Sequence, residues 1–391
     1  MATINYLTAI EFDFGAVLKL GESVRALGIR KPMLVTDAGL AAGAVMARVL
    51  EVIDEFQPVI FDGTPQNPNE QAVDAAVGLY SASGCDGVIA LGGGSPIDLG
   101  KAVALLATHS APFEQYALIE GGLSKITSKV APLIAIPTTA GTGSEVGRGA
   151  LITLKDGRKL GFISPHMIPR LALCDPELTI GLPPRLTAAT GMDALTHCIE
   201  TYLSPRVNPP ADAIALDGAA RAARWIRVAF ENGSHREARW NMMMAALQGG
   251  LTFQKGLGAV HSMSHPLGGL TTPVLHHGTL NAVVLPAVLR FNRSHAAGKI
   301  KVLEAALNVP ATNDLAGFIE ALNSDLGLPP TLRAMGVTEA MIPRMVDGAI
   351  KDHSTATNPR PVSREDFEGL FAQAMGPAPT TSHALIRETS T

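Results

Sequence analysis

The chain of 391 residues is 47% hydrophobic and 17% charged, with a formal net charge of −4. That apolar content supplies a large core and excludes general disorder, and at roughly 150 residues per domain the length predicts two or three domains. With 31 Lys and Arg against 35 Asp and Glu, no dense basic run and only 5% aromatic residues, the chain lacks the footprint of a nucleic-acid or anionic-membrane binder.

The N-terminal stretch Met1 to Leu7 has no basic segment leading into an apolar one, so no secretory signal is expected. Cys85, Cys174 and Cys198 are odd in number and widely spaced, which fits neither a disulfide framework nor a CxxC pair and points to the reducing cytoplasm. Short apolar runs then alternate with helical patterns. Met33 to Thr36 reads as a strand, followed by Asp37 and a helical stretch from Leu40 to about Phe56. Val59 to Phe61, Gly87 to Leu91 and Leu133 to Ile136 are further strands, separated by helical patterns at 70–83 and 97–108. Strands this short, apolar on both faces and alternating with helices, predict a parallel sheet covered on both sides, with ligands at the carboxyl ends of its strands.

The pattern changes near Leu182-Pro183-Pro184, and from there to Met375 nearly every segment reads as helix. Expected breaks include Asn208-Pro209-Pro210, Gly249-Gly250 and Pro329-Pro330, and Asn281 to Pro286 is the main β-branched exception. Trp240 to Phe253 reads as a buried helix rather than a membrane span, since no stretch of ~20 residues is apolar throughout. The expected division is an α/β domain over 1–182, an all-helical domain over 183–376 and a small, polar tail over 377–391.

Two glycine-rich segments follow strands in the first half. Gly92-Gly93-Gly94-Ser95 leads into a helix, where backbone N–H groups hold a phosphate readily. It is neither GxGxxG nor a Walker A loop, and on its own it is equally a tight turn. Thr138-Thr139-Ala140-Gly141-Thr142-Gly143-Ser144 repeats the arrangement, and the pair points to a dinucleotide. Asp37 serves either as the acceptor for an adenosine ribose or as the N-cap of the next helix. In the second half Asp193 and His197 stand four residues apart, as do His261 and His265, and His276-His277 follows. Four-residue spacing puts both members of a pair on one helix face. Imidazoles with one carboxylate make a ligand set for a divalent metal such as Fe(II) or Zn(II).

With these residues assembled, the chain resembles the iron-containing (group III) alcohol dehydrogenase family. The likeness rests on GGGSPID at 92–98, IPTTAGTGSEV at 136–146, GMDALTHCIE at 191–200, GLGAVHSMSHPLGG at 256–269 and HGTLNAVVLP at 277–286. It implies a dehydroquinate synthase-like fold: an N-terminal α/β dinucleotide-binding domain, an all-α C-terminal domain and a metal in the cleft between them. By the family's pattern the metal ligands fall on Asp193, His197, His261 and His277, with a slip to His276 left open by the doubled histidine. His265 then lies beside the nicotinamide and relays the alcohol proton. The resemblance places Asp37 and Asn67 at the adenosine side and Gly93, Gly94, Ser95 and Asp98 at the pyrophosphate. Thr138, Thr139 and Thr142 share that surface, and Lys159 falls at the nicotinamide ribose.

The implied activity is hydride transfer between NAD(H) and a small alcohol, diol or hydroxy acid, or its aldehyde, in a cytoplasmic homodimer. Fe(II) suits a four-ligand site that must still admit substrate better than a closed Zn(II) site does. Arg148 either orients an acidic substrate or pairs with a carboxylate of the chain. The loop Asp352 to Arg360 departs from the family's usual residues and leaves the substrate open. A dehydroquinate synthase-like lyase would carry several Lys and Arg residues around the metal, and only Lys255 stands near these motifs. A nucleotide-binding protein with a structural metal is the remaining alternative.

Overall fold

The computed structural model describes Ile4 and residues 8–377, so the expected tail lies outside the described residues apart from Pro377. Six strands form one sheet: β1 (Ala9–Phe12), β2 (Pro32–Val35), β3 (Val59–Phe61), β4 (Gly87–Gly92), β5 (Leu133–Pro137) and β8 (Leu171–Cys174). Their order is β1-β8-β5-β4-β2-β3 and every pair is parallel. A separate antiparallel hairpin joins β6 (Gly149–Thr153) to β7 (Lys159–Ile163).

Strand alternation feeds two cores. Leu34, Ile89, Ile134 and Ile136 pack on one face with α1 (Leu20–Ala26), with the short α2 (Ala38–Ala41) leading into α3 (Ala44–Ile53), which packs there too. Met33, Val35, Val88, Ala90 and Leu133 pack on the other with α4 (Glu70–Ser83) and α5 (Gly94–Leu106). The helices after β2 and after β4 therefore lie on opposite faces, and the crevice opens between the carboxyl ends of those two strands.

Beyond β8 the described chain is helical: α6 (Pro184–Leu203), α7 (Pro209–Glu231), α8 (Arg236–Leu251), α9 (Ala259–Gly268), α10 (His277–Ala306), α11 (Leu315–Asp325), α12 (Ile342–Lys351) and α13 (Arg364–Met375). No helix among the described residues is long and apolar enough to cross a membrane.

Several local expectations are corrected. The helix expected from Leu40 to Phe56 is broken by Gly43, the N-cap of α3. Asn281 to Pro286 is helix inside α10, because its β-branched residues are buried between helices rather than paired in a sheet. The break expected at Gly249-Gly250 falls one residue later, where α8 ends at Leu251. A Cβ at Gly250 would stand 2.5 Å from the Gly143 carbonyl oxygen, so the glycine admits a close backbone contact. Strands β1, β6, β7 and β8 were not anticipated.

Candidate active site

Three glycines in or against α6 decide where its side chains go. A Cβ at Gly191 would meet Ile226 Cδ1 at 2.7 Å, so α7 lies tight against α6. A Cβ at Gly249 would meet the His197 Cβ at 3.0 Å, bringing α8 equally close. A Cβ at Gly278 would fall 2.1 Å from the Ala189 carbonyl oxygen. The first turn of α10 thus rests directly on α6 and delivers His277 beside Asp193.

One acceptor atom each from Asp193, His197, His261 and His277 lies within 4.8 Å of the others. From Asp193 Oδ1 the Nε2 atoms of His197, His277 and His261 are 3.6, 3.8 and 3.9 Å away. The first three residues are buried, and His277 faces the cleft with its side chain 24% exposed. His276, the N-cap of α10, stands outside this group.

The outer nitrogens show what the inner ones offer. His261 Nδ1 is 2.5 Å from Glu200 Oε2, and Glu200 Oε1 accepts from the Val260 N–H at 2.8 Å. His197 Nδ1 is 3.3 Å from the Gly141 carbonyl oxygen and so must donate to it. Both rings therefore turn an Nε2 lone pair inward. Burial pushes the His197 pKa down to about 4 and that of His277 well below its usual value, keeping both imidazoles neutral. Burial also opposes charge on His261, but the Glu200 carboxylate outweighs it and raises the pKa.

Three imidazole lone pairs and a carboxylate converge on one point, and among the described residues the one donor that reaches them is the Asn281 amide. Its Nδ2 lies 2.7 Å from Asp193 Oδ1, 3.1 Å from His261 Nε2 and 3.2 Å from His277 Nε2. The Asn281 carbonyl oxygen and His277 Nδ1 are buried without a partner among the described residues. A buried, nearly donor-free acceptor set of this kind fits a divalent cation.

His265, one turn after His261, stays outside the four. Its ring stacks on His277 at 5.6 Å and on His353 at 5.8 Å, and its Nδ1 lies 2.8 Å from Asp352 Oδ2. Burial opposes ionisation of Asp352, yet His265 and the Ser354 N–H hold its pKa well below the carboxylate range. The far ring nitrogen of His265 has no hydrogen-bond partner among the described residues, and the residue lines the cleft.

The other wall of the cleft is built from the ends of β2, β4 and β5. Asp37 Oδ1 caps α2, accepting from the Gly39 and Leu40 N–H groups at 2.9 and 3.1 Å. Its Oδ2 takes no hydrogen bond among the described residues, so the capping and ribose readings coexist. Gly93 caps α5 without a side chain, and a Cβ on Gly94 would meet Thr142 Cγ2 at 2.7 Å. The α5 N-terminus thus presents bare N–H groups beside Thr139 and Thr142, an arrangement that fits a pyrophosphate.

Thr138 is held by its N–H on the Gly92 carbonyl, and Ser95 donates to the Gln66 carbonyl. Asp98 lines the cleft, but both oxygens are taken, one by Ser144 Oγ at 2.6 Å and one by the Leu151 N–H at 2.9 Å. It fastens the threonine loop to β6 rather than facing a ligand. Lys159 Nζ donates to Asn67 Oδ1 at 3.0 Å, and burial lowers its pKa to about 8 although Asp98 and Asp193 favour its charge. Both walls border one cleft of about 1220 Å³.

Sequence reasoning missed Glu200, Asn281, the role of Asp352, and Lys101, which braces Ser144 Oγ at 2.8 Å. Each acts on a residue distant in the chain, and spacing carries no signal for that.

Residues 8–176 match the family described as iron-containing alcohol dehydrogenase, and residues 187–375 match the Fe-containing alcohol dehydrogenase family, C-terminal. A 4-hydroxybutyrate dehydrogenase of Cupriavidus necator is 53% identical over 382 residues, covering 96% of this chain and 100% of that one. A 1,3-propanediol dehydrogenase of Klebsiella pneumoniae is 38% identical, covering 93% and 96%. The crystal structure of a 1,3-propanediol oxidoreductase superposes with a TM-score of 0.88 at 36% identity, covering 95% and 100%. That of a sulfoacetaldehyde reductase from Bifidobacterium kashiwanohense in complex with NAD+ gives 0.86 at 26% identity, covering 97% and 100%.

Proposed function

Since the chain belongs to the iron-containing alcohol dehydrogenase family, we propose that it interconverts a short hydroxylated substrate and its aldehyde with NAD(H) and Fe(II) in this cleft. The observation that carries the reading is the shared cleft: the four converging acceptors and the bare α5 N-terminus open onto the same space. A metal held by Asp193, His197, His261 and His277 would supply Lewis acidity at the substrate oxygen, and a bound nicotinamide coenzyme would supply the hydride chemistry.

The chain's own residues do the rest. Asp193, His197, His261 and His277 hold the cation, with Glu200 and the Gly141 carbonyl fixing two of the rings. Gly93, Gly94, Ser95, Thr138, Thr139 and Thr142 surround the pyrophosphate, with Asp98 bracing that surface from behind. Lys159 and Asn67 form a bonded pair beside the nicotinamide ribose. His265, oriented by Asp352, carries the alcohol proton toward solvent. On this reading 1–182 is the coenzyme domain and 183–376 the metal domain, in a cytoplasmic homodimer. Coenzyme-linked oxidation of a panel of short alcohols, diols and hydroxy acids after Fe(II) loading tests the assignment. Absence of turnover with every substrate, in either direction, would overturn it.

Coenzyme choice follows from Asp37. Its uncommitted Oδ2 accepts from ribose hydroxyls, whereas a 2′-phosphate would bring like charge to the same place. Two unit charges ~4 Å apart at an effective dielectric of ~20 repel by roughly 4 kcal/mol. Solvent and salt reduce this to about 1–3 kcal/mol, or roughly ten- to a hundredfold in affinity. The wild type should therefore prefer NAD, and Asp37→Gly should narrow the preference chiefly through KM for NADP. Ratios of kcat/KM for the two coenzymes decide it, and an unchanged ratio would leave Asp37 as a cap alone.

A further inference from the structure

Arg148 and Arg206 both line the cleft, and neither forms an ion pair or side-chain hydrogen bond among the described residues. Among the described residues, more than half of the arginines are not like this. Arg25, Arg158, Arg221, Arg290 and Arg364, for example, each face a carboxylate. Arg148 immediately precedes β6 and Arg206 follows α6, so the segment leading into the hairpin and the segment leaving α6 each contribute one guanidinium. Burial lowers the Arg148 pKa, and the Arg206 charge adds to that lowering.

A Cβ on Gly161 of β7, the strand paired with β6, would lie 3.4 Å from His353 Cε1, and His353 stacks on His265, which stacks in turn on His277. The positive pair thus belongs to the metal-side half of the cleft. The acidic residues that line the cleft are Asp37, Asp98 and Asp193. The first is at the adenosine end, the second is consumed by Ser144 and Leu151, and the third lies in the ligand cluster. Two unneutralised cations facing a cleft repel each other until an anion joins them.

We propose that Arg148 and Arg206 together bind the carboxylate of an ω-hydroxy acid, or of the matching semialdehyde, whose oxygen-bearing end is at the acceptor cluster. This rests on the oxidoreductase reading above and adds the substrate class and its specificity residues. Guanidinium suits the task because its planar fork matches a carboxylate. Neutral diols of equal length lack the charge and gain nothing from the pair.

The test compares 4-hydroxybutanoate with 1,4-butanediol in wild type, Arg148→Gln and Arg206→Gln. The wild type should favour the acid. Each variant should lower the acid-to-diol ratio of kcat/KM by roughly ten- to a hundredfold, mainly through KM for the acid. Calorimetric binding of butanoate to the metal-free protein gives a readout without turnover, and its affinity should fall similarly in both variants. A wild type that favours the diol, a ratio within twofold of wild type in both variants, or unchanged butanoate binding would each overturn the clamp. Wild-type turnover of the diol separates that failure from failure of the oxidoreductase reading, which would leave every alcohol unoxidised.

Discussion

Replacing Asp193 by Asn will leave a folded protein that no longer retains its metal and turns over at least about a thousandfold more slowly. Asp193 Oδ1 is the point from which the three imidazole Nε2 atoms stand 3.6–3.9 Å away, and it supplies the only negative charge among the four donors. An amide keeps the volume, so the packing of α6 against α7, α8 and α10 survives. It removes the charge, however, and can turn N–H donors toward lone pairs that need a cation. A Lewis acid contributes several kcal/mol of transition-state stabilisation, and each 1.36 kcal/mol is about tenfold in rate. Elemental analysis with a melting curve on the same sample checks it. A full metal equivalent with normal turnover would refute the ligand assignment.

His265→Ala should separate from that variant by keeping its metal while losing about a hundred- to ten-thousandfold in kcat, the range for loss of a positioned general acid or base. Its ring stacks at 5.6 Å on His277 but takes no place among the converging atoms. Asp352→Asn should cost less, about ten- to a hundredfold, because it loosens the ring through the 2.8 Å bond without removing it. Imidazole added to the solvent should restore part of the rate of His265→Ala and none of that of Asp193→Asn. Loss of metal from His265→Ala, or no response to imidazole, would end the relay assignment.

The sheet was legible where its strands are buried on both faces, as in Pro32–Val35 and Gly87–Gly92, since a continuous apolar run is what two covering layers require. The edge strand Ala9–Phe12 and the hairpin β6–β7 were not legible. Ala9–Phe12 contains Glu11 and is only partly buried, and the hairpin's β6 alternates between buried and half-buried residues. The convergence of Asp193, His197, His261 and His277 could be anticipated because Asp193 and His197 share a helix turn and the remaining motifs resemble a known family. Glu200 could not, although it lies three residues from His197, because its partner His261 is on another helix. The choice left open for Arg148, and any role for Arg206, was hidden for a related reason: absence of a partner is visible only once every neighbour has a position.

Gly141 has a consequence for how the two bound groups influence one another. A Cβ there would lie 2.7 Å from the Thr190 carbonyl oxygen of α6, while its own carbonyl receives the His197 ring. The segment proposed to receive the pyrophosphate is therefore mechanically continuous with the helix that carries the proposed ligands Asp193 and His197. Any shift of the loop on coenzyme binding moves the acceptor that aims His197, and any tightening of His197 on its cation fixes the loop. Linkage makes such an effect reciprocal, so the factor by which NAD changes the metal dissociation constant must equal the factor by which the metal changes that of NAD. Titrating each with and without the other should return the same factor twice, about fivefold or more. A factor of one in both titrations would show that the contact transmits nothing, and that the two halves of the site fill independently.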